Sequence, residues 1–206
     1  MAGSLRPALR AGSILVATLV LAMGGVLARA AAPATPPAKY SLDPARSMLR
    51  FAFVQAGANN SGRFGKFTAD VLFAGDNLAA SKINVTIDTG SLDTGDQERD
   101  TTLKGADLFD VKKFPQAHFV SSKLTQVAAG RYEAQGKLTI RNVTRDIKVP
   151  LTFQNKVEGG KNFGYMQGRA TLKRLEFGVG QGDWKSTEWV NDEVNVTFSL
   201  RLAPAS

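Results

Sequence analysis

An all-β, antiparallel fold of about eight strands with one short helix between them is what this sequence predicts. Three observations carry that expectation. Apolar and polar residues alternate in many short runs; the runs are separated by Gly- and Asn-rich turn chemistry; and a single stretch breaks the alternation. The alternation by itself leaves a barrel and a sandwich both open.

The clearest runs have period two. Ile83, Val85 and Ile87 face one way, with Asn84, Thr86 and Asp88 the other. Ile147, Val149, Leu151 and Phe153 alternate with Asp146, Lys148, Pro150 and Thr152, and Val194, Val196, Phe198, Leu200 and Leu202 form a third face. Such patterns belong to strands with one buried side. Weaker alternation predicts strands at Met48–Val54, Phe67–Phe73, Phe119–Val127, Tyr132–Ile140 and Phe163–Leu172. "GANNSG", "AGDN", "AAG", "RNVTR" and "EGGKN" are expected to be connections. Pro150 lacks an N–H and so belongs at an edge or bulge of its strand. In "DTGDQERDTTLKGADLF", acids precede Lys104, and Asp96 through Lys104 is expected to be helical, ending at Gly105.

The chain has 206 residues, twenty of them glycine, and no cysteine, which excludes disulfides, thiolate metal sites and thiol nucleophiles. Arg6 and Arg10 precede an apolar run, Ala11–Leu27, and then Ala28-Arg29-Ala30. This is the pattern of a cleaved secretory signal over residues 1–30, with an uncleaved membrane anchor as the alternative. "APATPPAK" follows, and residues 31–39 are expected to form a Pro/Ala tether. Export without cysteine points to a bacterial periplasm. The formal charge is +8, but the first thirty residues hold three arginines and no acid, leaving +5 scattered among acids. No nucleic-acid patch is expected from that distribution.

Catalytic motifs are scarce. His118 is the single histidine; it begins a strand and has no serine elbow to serve. A hydrolase using His118 or a pair of carboxylates is the competing function. "DTGDQERD" lacks the spacing of a calcium loop, and "GANNSGRF" lacks the Lys-Ser/Thr of a phosphate loop, so no metal or cofactor is expected. Phenylalanines crowd the early strands, and Leu108, Phe109 and Phe114 crowd the helix exit, with Phe177, Trp184 and Trp189 later. In a small barrel such residues either fill the lumen or line a cavity.

"LDPARSMLRFAF", "GRFGKFTADVLF", "INVTIDTGSLDTGDQERDTTLKGADLFDVKKFPQAHFVSSKL", "GKLTIRNVTRDIKVPLTF" and "RLEFGV…DEVNVTFSL" resemble, in order, the YceI family of bacterial polyisoprenoid-binding proteins. The sharpest part is Leu103, Lys104, Asp107, Phe109, Asp110 and Pro115. The resemblance implies an eight-stranded lipocalin-like barrel over residues 40–203. Its cavity would hold an isoprenoid quinone or polyprenyl phosphate in the periplasm, for transport, storage or sensing, without catalysis. The expected lining is Phe51, Phe53, Phe64, Phe67, Val85 and Ile87 from the early strands. Leu103, Leu108, Phe109 and Phe114 follow from the helix and its exit, then Phe119, Ile140, Phe177 and Trp184. Arg63, Lys66, Arg99 or Arg174 would meet a head group at the mouth. The resemblance also admits a cytochrome b561-type inner-membrane partner and a homodimer. Many family members carry histidines where this chain has Gln55 and Thr101-Thr102, so no role of those histidines carries over.

Overall fold

The computed structural model describes residues 36–205, together with Gly3. Apart from Gly3, the expected signal segment (1–30) and the start of the tether therefore lie outside the described residues. The strands, in chain order, are β1 (Ala38–Leu42), β2 (Met48–Gln55), β3 (Ala58–Phe64), β4 (Phe67–Phe73), β5 (Lys82–Asp88) and β6 (Leu92–Asp93), followed after α1 by β7 (Gln116–Ala128), β8 (Arg131–Ile140), β9 (Val143–Glu158), β10 (Lys161–Lys173) and β11 (Val190–Pro204). The helix α1 spans Gln97–Lys104; Asp96 caps it, its side chain accepting from Arg99 N at 3.0 Å.

Every pairing is antiparallel. β4, β5, β7, β8, β9, β10 and β11 follow one another, and β1 joins β4 to β11, closing an eight-stranded barrel. β2, β3 and β6 extend from the other part of β11, whose Val190–Ser199 stretch pairs with β2. All eight expected strands are present, and β1, β3 and β6 are additional.

β1 begins at Ala38, within the segment read as tether, because its backbone fills the gap between Leu72-Phe73 and Leu202–Pro204. "GANNSG" is not a connection but most of β3. The turn is only Ala56-Gly57, both at positive φ (49° and 76°), the conformation a two-residue hairpin demands. Likewise "RNVTR" turns only at Arg141-Asn142, and β9 starts at once with Val143. Pro150 stands one residue beyond Leu151, where the β9–β10 ladder ends at its pairing with Gly168, so that flank of β9 is an edge.

One end of the barrel is solid. The rings of Phe73 and Phe153 stack at 4.0 Å, Tyr132 meets Phe73 edge-on at 5.4 Å, and Tyr40 meets Phe153 at 5.8 Å. Outside this plug, buried Arg201 bonds to Asp43 (2.5 Å) and Glu158 (2.6 Å), and stacks on Phe163. Tyr165 donates to Glu158 as well, and the Tyr165 and Arg201 bonds hold that carboxyl below the usual carboxylate range. The plug ties β1, β4, β8 and β9 together, leaving the other half of the lumen to be shaped independently.

Candidate ligand-binding site

Beyond the plug the barrel is hollow. Inward positions of β7, β8 and β10 carry Ala117, Ala134 and Ala170, side chains too small to meet across the lumen, while β5 supplies Val85 and Ile87. A cavity of about 570 Å³ results, lined almost entirely by hydrocarbon. That volume suits an organic ligand of moderate size.

Thirteen of the fourteen expected residues form its wall. Phe51 and Phe53 (β2), Phe64 (β3) and Phe67 (β4) give an aromatic side; Phe51 lies 5.2 Å from Phe64, ring to ring. Val85 and Ile87 (β5), Phe119 (β7) and Ile140 (β8) continue the wall, and Leu103, Leu108, Phe109, Phe177 and Trp184 cover it. Phe114 is not part of it. Its ring turns outward beneath Lys113 and Arg141, each about 5.4 Å or less from the centroid, so cation–π contact holds it on the outer surface. Phe73 belongs to the plug, and Trp189 is exposed, outside the cavity.

The inward phase of alternation would have found further lining: Val194, Val196, Phe198 and Leu200 of β11, and Val149 and Leu151 of β9. Of the polar lining positions, only Arg99 and Arg174 are among the expected residues. Gln55, Asp96, Glu98, Arg99 and Thr102 mark the rim, between the end of β2 and α1. Thr102 donates its hydroxyl to Glu98 O (3.0 Å), leaving oxygen lone pairs free to accept. Asp96 is held below the usual carboxylate range, first by the Arg99 backbone N–H and, opposed by desolvation, by the Arg99 charge 3.7 Å away.

The four basic candidates separate. Arg63 is spent on an exposed pair with Asp93 at 2.8 Å, and neither it nor Lys66 lines the cavity. Arg99 stands at the rim. Arg174 is buried in the wall, and all its bonds go to backbone carbonyls. Burial lowers its pKa from the ordinary arginine value, partly offset by Asp192. His118 lies between the inward-facing Ala117 and Phe119, so it points away from the cavity, with Thr86 Oγ1 3.2 Å from its Nδ1. Among the described residues no group of three or more His, Asp or Glu could hold a metal ion.

A closed antiparallel barrel, plugged at one end and hollow toward the other, with a helix beside the opening, is a lipocalin-like fold with an apolar cavity. The model of the YceI-like domain matches residues 40–202, and the chain belongs to the YceI family. A UPF0312 protein of Vibrio vulnificus is 32% identical over 166 residues, covering 78% of this chain and 87% of that protein. BcnA of Burkholderia cenocepacia superposes with a TM-score of 0.73 at 35% identity, over 78% of this chain and 98% of that one. A polyisoprenoid binding domain from Saccharophagus degradans shares the fold, with a TM-score of 0.65 at 18% identity over 81% and 98% of the two chains.

Proposed function

We propose that the protein holds an isoprenoid lipid, its prenyl chain in the hollow half of the barrel and its head at the rim, as a binding protein rather than an enzyme. The cavity carries this reading: a wall of aliphatic and aromatic groups reaches from the plug to a rim where polar side chains first appear. Burying hydrocarbon contributes about 0.8 kcal/mol per CH₂, enough for a few isoprene units to secure the ligand after binding costs. His118, on the far side of the wall, has no access to such a ligand.

Between the two head groups, the rim favours an isoprenoid quinone over a polyprenyl phosphate. Arg99 is neutralised by Asp96, Glu98 adds a further negative charge, and Arg174 has no donor left. A quinone asks only for neutral hydrogen bonds, which the Gln55 amide can donate. A periplasmic location is supported by the basic and apolar N-terminal pattern and the lack of cysteine. A cytochrome b561-type membrane partner and a homodimer enter this proposal on family resemblance alone.

The test is a pair of titrations, with a short-chain prenyl quinone and with the matching prenyl phosphate. The quinone should bind at micromolar concentration or below and the phosphate at least tenfold more weakly (~1.4 kcal/mol). Tighter phosphate binding would reverse the head-group assignment, and no binding of either would remove the lipid reading.

A further inference from the structure

The segment between β10 and β11 supplies Val179 and Trp184 to the cavity wall, and Val190 follows as β11 begins. Little in the segment itself holds it in place. After a first 3-10 turn, Arg174–Phe177, which buries Arg174 and Phe177, Gly178, Gly180 and Gly182 all adopt positive φ, and the one further regular piece is a 3-10 turn, Gly182–Lys185, with no buried residue. Chain of this kind opens locally at small cost unless it is tied from outside.

Arg174 is the tie. Its Nε donates to Asn191 O (3.1 Å), Nη1 to Val179 O (3.0 Å) and Trp184 O (2.6 Å), and Nη2 to Ser186 O (3.0 Å) and Val190 O (2.9 Å). A guanidinium has five N–H groups, and five carbonyls spread from one end of the segment to the other receive them. Gly180 passes so close to Nη1 that a side chain there would displace the guanidinium. The side chain is only 6% exposed, and no carboxylate among the described residues stands within salt-bridge distance of it.

The opposite side of the rim is attached differently. α1 buries no residue. It is tied at mid-length by Asp100, which accepts from Thr94, and at its C-terminal end, where Leu103 O accepts from Phe109 N and Lys104 O from Val111 N. One side of the opening is thus stitched at five points to a buried cation, and the other is a short helix resting on Leu103.

We propose that Arg174 is a positioning residue for ligand retention: it latches Gly178–Trp189 as a fixed wall, and ligand exchange runs past α1. This rests on the reading that the cavity holds an apolar lipid. Arg174→Lys keeps the charge but loses the planar five-donor fork. In a displacement experiment, a dansyl-labelled farnesyl probe should leave the variant roughly tenfold faster than the parent, since losses of this kind fall mainly on dissociation rates. The far-UV circular dichroism should be unchanged.

Hydrogen exchange on the unmodified protein tests the same claim without any variant. The amides of Val179, Gly180, Gln181 and Trp184 should exchange more slowly than those of α1, and adding the probe should slow α1 alone. Equal release rates from parent and folded variant, or segment amides exchanging as fast as α1, would overturn the latch. A parent that takes up no probe would instead overturn the cavity reading, and the latch with it.

Discussion

The ring of Phe198 occupies the space where a side chain of its cross-strand partner Gly168 would stand: a Cβ there would lie 2.9 Å from Phe198 Cε1, closer still to Cζ, and 2.6 Å from Pro150 O. Glycine at 168 thus keeps a cavity-lining ring against the wall instead of in the lumen. Gly168→Ala must push either the ring inward or the β9 backbone outward. Overpacking of this kind costs about 1–3 kcal/mol. Urea unfolding should show that loss, and farnesyl-probe affinity should fall with it.

Val85 is half-exposed only because it faces the hollow. Val85→Trp should fill part of the cavity, abolish binding of a prenyl probe and leave the melting temperature equal or higher, because the lining gains contacts it lacks. A variant that still binds the probe with parental affinity would place the ligand elsewhere.

Phe114→Ala is the matching control at the one expected lining residue that lies outside. Its ring contacts Lys113 and Arg141 on the outer surface, so probe affinity should stay within a factor of two or so of the parent, exposed cation–π contacts being weak.

At the β7 bulge, buried Ser121 accepts the Ile83 N–H through its hydroxyl at 2.8 Å, where the ladder offers no carbonyl. Ser121→Ala leaves that donor unpaired in the interior and should cost about 1–3 kcal/mol in urea unfolding.

Acid should weaken the plugged end. The Glu158 carboxyl is held below its ordinary value by Tyr165 and Arg201, so its contribution is complete above the unfolded carboxylate value of about 4.3 and is lost as pH falls through the lower folded value. Glu158→Gln should be less stable than the parent at neutral pH, with a flatter dependence of melting temperature on pH below about 4.3.

These residues also show what the sequence could and could not reveal. Val85, Phe119 and Phe198 announce themselves because one-sided burial writes period two into the chain. β3 did not, since its ladder with β2 is made by backbone and its side chains are Ala58, Asn59, Asn60, Ser61 and Gly62. β1 is five residues beside a proline-rich stretch, and only its partners at either end of the chain make it a strand. The hollow was unreadable because filled and empty barrels alternate alike; what separates them is how far the inward side chains reach, and at Ala117, Ala134 and Ala170 they reach little. Arg174 looks like any surface arginine in one dimension, its partners being carbonyls, which every residue has.

The most direct test of the central claim is organic extraction of the protein purified from a bacterial periplasm without added lipid, followed by mass spectrometry. An isoprenoid lipid near one per barrel is expected in the parent and none in Val85→Trp. Equal recovery from both, or a parent that yields no lipid and takes up no prenyl quinone, would contradict it.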